Sequence, residues 1–125
     1  MRPEFSAAYA CLKSVLIPHV KDLSIKTDSD NEFTLLTKSK SPFPQHKGQP
    51  MYFGSVRVGK AYVSFHLMPL YMCPALQKAV SPTLKKRMQG KTCFNFKTEP
   101  DQGLVDDLKE LTAAAVENWK TRKWL

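Results

Sequence analysis

The sequence predicts an α+β fold: a two-layer sandwich in which an antiparallel sheet of about five or six strands carries the N- and C-terminal helices on one face. Two observations lead to this prediction. Apolar residues recur at helical spacing near both ends of the chain, and the strand-like segments between them are separated by polar turn residues. A chain of 125 residues with 42% apolar residues can bury a core of its own. Residues 1–125 are therefore interpreted as a single domain.

The first part of the chain predicts one helix and one hairpin. Residues 4–17 should form an amphipathic helix that ends before Pro18. The segments LSIKT (23–27) and FTLLTK (33–38) flank DSDN, whose short polar side chains suit a turn, so they predict a hairpin. Residues 39–50 hold three prolines and a glycine among polar and basic residues, which indicates a surface loop.

A second hairpin is predicted around Gly59 and Lys60, which separate MYFGSVRV from AYVSFHLM. Glycine at the first central position suits a two-residue type II′ turn, which sets the register. One face then carries the pairs Val58/Ala61, Val56/Val63, Gly54/Phe65 and Tyr52/Leu67. The other face carries Arg57/Tyr62, Ser55/Ser64, Phe53/His66 and Met51/Met68. His66 is thus expected on the more polar face of its hairpin, beside Phe53.

Two short helices should follow this hairpin. Cys73-Pro74 can begin a helix that runs to about Ala79. Ser81-Pro82 is a stronger start, because serine can cap a helix and proline suits its first position. The helix 82–89 should end at Gly90.

The C-terminal part predicts a last strand and a long helix. TCFNFK (92–97) places Phe94 and Phe96 on one face of a strand. Residues 101–120 form an amphipathic helix, with acidic residues in its first turns and basic residues at its end, in agreement with the helix dipole. Its apolar stripe consists of Leu104, Leu108, Leu111, Ala115 and Trp119.

The charge of the chain favours anionic partners. Nineteen basic residues against 11 acidic residues give a net charge of +8. The partner is expected to be an anionic small molecule or macromolecule. Nucleic acid fits the charge, but no RNP, KH or helix-turn-helix pattern appears. A basic surface without a partner is the alternative explanation of the charge.

The sequence also predicts a cytoplasmic protein that does not enter a membrane. No apolar run approaches the ~20 residues needed to span a bilayer, and the N-terminus lacks the continuous apolar region of a signal peptide. Cys11, Cys73 and Cys93 are odd in number and widely spaced, which suggests reduced thiols.

The segment YVSFHLMPLYM and the SPTLKKRMQGKTCFNFK that follows resemble the YdhG-like domain family, a group of small bacterial proteins mostly without assigned function. The first 45 residues match only in predicted layout. The matching features are the histidine-bearing strand 62–68, the turn at Met68, Pro69 and Tyr71, the helix start Ser81-Pro82, and the run Gly90, Lys91, Cys93, Phe94, Phe96 and Lys97. The resemblance implies a frataxin-like sandwich and, for some relatives, an iron-chaperone role.

The leading functional hypothesis is a non-enzymatic protein that binds an anionic ligand, with no cofactor. The densest basic group is Lys78, Lys85, Lys86, Arg87 and Lys91. The predicted ligand-binding residues lie in a cleft between the 51–68 hairpin and the helical segment 71–91. Tyr62 and His66 supply a polar edge, Arg57 and Lys91 supply charge, and Tyr71 is an aromatic residue among the basic ones.

Two alternatives belong to other classes. A frataxin-like iron carrier would use Asp28, Asp30 and Glu32, and His66 as a further ligand, although helix 4–17 lacks the line of carboxylates that frataxins present there. An enzyme could be built on Cys93 and His66 if their strands adjoin. The histidines lack zinc-site spacing, so no structural zinc site is predicted. Gly90-Lys91-Thr92 matches the end of the phosphate-loop pattern GxxxxGK[ST], but Lys85 stands where the pattern requires its first glycine, so no P-loop is predicted.

Overall fold

The computed structural model describes residues 2–125 and confirms the α+β fold class. The elements in chain order are α1 (Pro3–Leu16), β1 (Leu23–Asp28), β2 (Glu32–Lys40), β3 (Pro50–Val58), β4 (Val63–Leu67), α2 (Pro69–Met72), α3 (Pro74–Lys78), α4 (Pro82–Lys85), β5 (Met88–Gln89), β6 (Cys93–Phe96) and α5 (Gln102–Thr121). The six strands form one antiparallel sheet in the order β1-β2-β3-β4-β6-β5.

The core lies between this sheet and the two long helices. Helix α1 contacts α5, β3 and β4, and α5 packs against the short helices as well. The predicted apolar stripe of α5 is buried, and Asp101 caps the helix by accepting the Leu104 N–H at 2.9 Å. Phe94 and Phe96 are buried on one face of β6, as predicted. No helix within residues 2–125 is long and apolar enough to span a bilayer.

The register of the β3–β4 hairpin differs from the prediction by two residues. Val58 pairs with Val63, and the connection comprises residues 59–62, in which the Gly59 N–H donates to the Tyr62 carbonyl at 2.9 Å. The pairs therefore become Val56/Phe65, Gly54/Leu67, Arg57/Ser64 and Ser55/His66. The predicted type II′ turn at Gly59-Lys60 was wrong. A shift of two residues keeps each of these side chains on its face, because side chains alternate along a strand with a period of two.

A bulge in β3 changes the faces of three more residues. Leu35 pairs with Gly54 but Leu36 pairs with Tyr52, so Phe53 is an extra residue in its strand. Met51 and Phe53 are buried in the core, where the Phe53 ring lies edge-on to Trp119 at 5.4 Å between centroids. The predicted pairs Phe53/His66, Met51/Met68 and Tyr52/Leu67 were wrong because of the shift in register, and the predicted faces of Met51, Tyr52 and Phe53 were wrong because of the bulge.

The segment after α4 also departs from the prediction. The helix begins as expected, with Ser81 accepting the Leu84 N–H at 3.2 Å, but it ends at Lys85. Met88 and Gln89 form β5 and pair with β6 instead of continuing the helix. Gly90 has φ of 77° and serves the turn between β5 and β6 rather than a helix end. In a longer helix, the last backbone carbonyl groups would lack partners within the helix. As an edge strand, this segment forms backbone hydrogen bonds with β6 instead.

Candidate functional site

The sheet face opposite the core carries two rows of polar side chains that run across the strands. One row contains Thr34, Ser55, His66, Cys93 and Gln89, on β2, β3, β4, β6 and β5. The other row contains Glu32, Arg57, Ser64 and Asn95. The structure thus confirms that His66 lies on the polar face, but its cross-strand neighbours are Ser55 and Cys93 rather than Phe53.

His66 is half-buried at the centre of this face. Within residues 2–125 its ring makes no hydrogen bond to another side chain, and it borders a shallow groove of about 400 Å³ shared with Arg57 and Ser64. Burial, and secondarily the positive charge of Arg57, lower the pKa of His66. The imidazole is therefore neutral at pH 7. It can donate or accept a hydrogen bond with a ligand, but it contributes no positive charge.

Arg57 is already paired with a carboxylate. Its Nη2 and Nε lie 3.1 Å and 3.2 Å from Glu32 Oε1, and Thr34 Oγ1 donates to the second carboxylate oxygen at 2.8 Å. The hydrogen bond from Thr34, followed by Arg57, lowers the pKa of Glu32 and outweighs the opposing effect of burial. Because the charges of Arg57 and Glu32 cancel locally, Arg57 offers little net attraction to an anion.

Tyr62 lies near the β5 edge of the sheet and belongs to a network of polar side chains. Its hydroxyl donates to Gln89 Oε1 at 3.2 Å, and Asn95 Nδ2 donates to the same oxygen at 2.7 Å. The Ser64 hydroxyl donates to Asn95 Oδ1 at 3.0 Å. These bonds fix the side chains that stand between His66 and the β5 edge of the sheet.

The β5-edge groove adjoins this network and is strongly basic. It encloses about 380 Å³ and is lined by Tyr62, Lys86, Arg87, Met88, Gln89, Asn95 and Lys97. None of the lining residues is acidic. Within residues 2–125, Lys86, Arg87 and Lys97 form no ion pair with a carboxylate, so the groove keeps three uncompensated positive charges.

Lys91 and Tyr71 lie elsewhere, beyond the other end of β4. The Lys91 ammonium is 5.9 Å from the centroid of the Tyr71 ring, and Tyr71 is 65% exposed. Thr92 accepts the Leu67 N–H at 3.0 Å, which holds this turn against the C-terminal end of β4. The five predicted site residues therefore occupy three places: Arg57 with His66, Tyr62 in the β5-edge groove, and Lys91 with Tyr71. Lys86 and Arg87 belonged to the predicted basic group, whereas Lys97 was missed as a binding residue because only strand pairing brings it beside them.

Cys93 and His66 are cross-strand partners, so the condition for a Cys–His pair is met. The Cys93 thiol, however, donates to Asn95 Oδ1 at 3.3 Å rather than to the imidazole. Burial raises the pKa of Cys93, which disfavours the thiolate that nucleophilic catalysis requires.

The sequence analysis did not identify Cys73 as the cysteine with a lowered pKa. Cys73 precedes α3, and the backbone N–H of Leu76, with further contributions from Ala75 and Arg122, lowers the pKa of its thiol. Asn118 Nδ2 also donates to the sulfur, at 3.3 Å. The Cys73-Pro74 helix start was the available signal, because the first N–H groups of a helix favour an anion at that position.

The acidic turn considered for iron is engaged in other contacts. Asp28 accepts the Lys13 ammonium at 2.6 Å, and Glu32 pairs with Arg57. Across residues 2–125 no group of three or more His, Cys, Asp or Glu side chains is placed to hold a metal ion. Both carboxylates would have to give up a cation in order to bind iron.

Comparisons of the chain with family models, curated proteins and solved structures gave no match. The resemblance to the YdhG-like family therefore stays a prediction from the sequence.

Proposed function

We propose that the protein is a non-enzymatic binding protein for an anionic ligand, and that phosphate groups of this ligand bind in the β5-edge groove. The observation that carries the proposal is the presence of Lys86, Arg87 and Lys97 in one groove whose lining contains no carboxylate. The proposal keeps the anionic ligand expected from the net charge but moves its site from the Arg57–Lys91 cleft to the sheet edge. Three free cysteines support a cytoplasmic setting.

The polar residues of the groove complement its charges. The Tyr62 hydroxyl and the Asn95 amide both donate to Gln89 Oε1, so polar side chains from the β3–β4 connection, β6 and β5 stand beside the three cations. Arginine can bind two phosphate oxygens at once, whereas lysine acts as a mobile point charge. Since the cations are exposed, binding should be dominated by charge and should weaken as salt is added.

The iron carrier and the Cys–His enzyme have less support. The carboxylates of the first alternative are paired with Lys13 and Arg57, and the thiol of the second has a raised pKa and bonds to an amide. Neither alternative has an observation of its own comparable to the unpaired cations of the groove.

Titration with two phosphate sources tests the proposal. Pyrophosphate represents a free phosphorylated molecule, and a 12-nucleotide single-stranded DNA represents a phosphodiester backbone. Neutralising about three phosphates of a single strand predicts a slope of roughly −2 in a plot of log affinity against log salt concentration. Saturable binding of pyrophosphate alone would identify a small-molecule site, whereas tighter binding of the oligonucleotide would identify a nucleic-acid surface.

Charge-matched variants separate the groove from the net charge. The triple variant Lys86→Gln, Arg87→Gln, Lys97→Gln should lose at least tenfold in affinity. The control Lys21→Gln, Lys60→Gln, Lys109→Gln removes the same charge from exposed positions outside the groove and should change affinity less than threefold. Equal losses in the two variants would show that binding follows net charge and that the groove is not a site.

A further inference from the structure

The β5-edge groove offers more than positive charge, because an aromatic side chain stands beside its three cations. Tyr62 lines the groove together with Lys86, Arg87 and Lys97. A phosphate group binds through charge and hydrogen bonds and makes no use of a ring. A ligand that matches the whole groove therefore carries a flat ring as well as phosphate. This inference rests on the phosphate site proposed above.

The Tyr62 ring crosses the polar face of the sheet. Tyr62 immediately precedes β4, and its hydroxyl donates to Gln89 Oε1 on β5 at 3.2 Å. Strand β6 lies between β4 and β5 in the sheet, so the ring spans β6. Tyr62 is half-buried, which leaves part of the ring open to solvent. Because the bonded hydroxyl already holds the ring in place, a second ring that stacks on it loses less free energy to ordering.

Strand register places one of the cations beside this ring. Val63 pairs with Phe96, so Tyr62 adjoins β4 where Lys97 adjoins β6. A ligand whose phosphate contacts the Lys97 ammonium therefore holds its remaining groups within reach of the ring.

An amide with free donors lies at the hydroxyl end of the ring. Gln89 Oε1 accepts from the Tyr62 hydroxyl at 3.2 Å and from Asn95 Nδ2 at 2.7 Å. Both bonds use the oxygen of the Gln89 amide, so Nε2 keeps its two N–H donors. Ring nitrogens and carbonyl oxygens on the edge of a nucleobase accept hydrogen bonds from such amide donors.

We propose that the β5-edge groove binds a free nucleoside diphosphate, with its phosphates on the three cations and its base stacked on Tyr62. A nucleoside diphosphate carries about three negative charges near neutral pH, which the three cations balance. The groove volume of about 380 Å³ lies within the ~300–1,000 Å³ typical of small-molecule sites.

The number of rings favours a free nucleotide over a nucleic-acid strand. Proteins that bind single strands present aromatic side chains to successive bases. Among the residues described along this groove, Tyr62 is the only aromatic one. The groove therefore has a stacking surface for one base.

Titration calorimetry with pyrophosphate, UDP and ADP at one salt concentration tests the proposal. The three ligands share a diphosphate and have similar charge, but only the nucleotides carry a base, and adenine presents a larger ring than uracil. Stacking of one base on an aromatic side chain corresponds to about a factor of ten or more in affinity. ADP should therefore bind at least tenfold tighter than pyrophosphate, and UDP should lie between them.

Tyrosine variants show whether Tyr62 causes this preference. Tyr62→Leu removes the ring but keeps an apolar side chain, and should lower the ratio of ADP affinity to pyrophosphate affinity below threefold. Tyr62→Phe keeps the ring and should retain a ratio of at least fivefold. Tyr71→Leu removes an exposed ring beside Lys91, outside the groove, and should leave the ratio within twofold of wild type. The ratio is the readout because a loss of phosphate binding affects both ligands alike.

The outcomes separate the nucleotide from the phosphate site. If pyrophosphate binds saturably and ADP binds no tighter, or if Tyr62→Leu keeps the tenfold preference, the nucleotide is refuted and the phosphate site stands. If a 12-nucleotide single-stranded DNA binds more than tenfold tighter than ADP, and the triple variant of the groove loses this binding, the ligand is a nucleic-acid strand. If neither pyrophosphate nor ADP binds, the proposed function fails and the nucleotide fails with it. The wild-type comparison of ADP with pyrophosphate decides the question even if a variant does not fold.

Discussion

Gly54 lies at the closest approach of β3 to β4, and alanine there should destabilise the protein strongly. A Cβ added to Gly54 would lie 2.6 Å from the carbonyl oxygen of His66 and 3.4 Å from Leu67 Cδ2. The nearer atom is backbone in a central strand, so the clash cannot be relieved by rotating a side chain. Overpacking of this kind costs about 1–3 kcal/mol, and we expect the upper half of that range. An unfolding entropy of about 2.1 cal/mol/K per residue then lowers Tm by roughly 8 to 11 °C.

The same substitution at Gly103 provides the control. Gly103 is in the first turn of α5, and an added Cβ would meet only Asp101 Oδ1, at 3.4 Å. Gly103→Ala removes backbone freedom from the unfolded chain and should stabilise the fold by about 0.5 kcal/mol, or roughly 2 °C. Thermal unfolding followed by far-UV circular dichroism, with urea titration for the free energy, measures both variants. The close strand approach is refuted if Gly54→Ala melts within 2 °C of wild type.

Three further expectations concern single side chains. The pKa of His66 is lower in the folded than in the unfolded protein, so the unfolded state binds more protons below about pH 6.5 and stability falls with decreasing pH. His66→Gln should therefore reduce the loss of unfolding free energy between pH 7.5 and pH 5, and an unchanged loss would argue against the buried neutral ring. The pKa of Cys73 is lowered, whereas burial raises the pKa of Cys11 and Cys93. Alkylation of Cys73 should therefore reach half its maximal rate at a lower pH than alkylation of the other two cysteines. Mass spectrometry of the alkylated peptides measures the three rates. Coincident pH profiles would contradict the role of the α3 N–H groups. Ser81→Ala removes the cap of α4 and should cost about 1 kcal/mol in urea unfolding, whereas Ser81→Thr, which retains the hydroxyl, should cost less.

The layers of this fold could be predicted because they depend on local periodicity. Helices α1 and α5 were expected at 4–17 and 101–120 and occupy Pro3–Leu16 and Gln102–Thr121. Each presents one continuous apolar face, and a change of one or two residues at its ends leaves that face intact.

Strand register and edge pairing could not be predicted in the same way. Gly59 suggested a tight turn, but the four-residue connection lets Val63 and Phe65 fill the core opposite Val58 and Val56. Gly54, next to the bulge at Phe53, was a local signal, because an isolated glycine inside a strand suggests a bulge, but it does not say which residue is the extra one. The bulge is favoured by the burial of the Phe53 ring against Trp119, a residue 66 positions later in the sequence. Tertiary packing therefore decided both features.

Strand pairing also determines which positive charges are available to a ligand. The β2–β3 ladder places Glu32 opposite Arg57, so the arginine that seemed free in the sequence is neutralised across the strands. The β5–β6 pair, in contrast, brings Arg87 and Lys97 into one groove where no carboxylate lies. Composition alone treats these cations as equivalent, because a net charge of +8 says nothing about neighbours. An ion pair at 3 Å largely cancels the field of both charges. The anion-binding surface of this basic protein therefore depends on which residues the β-strand register places side by side more than on the density of lysine and arginine in the sequence.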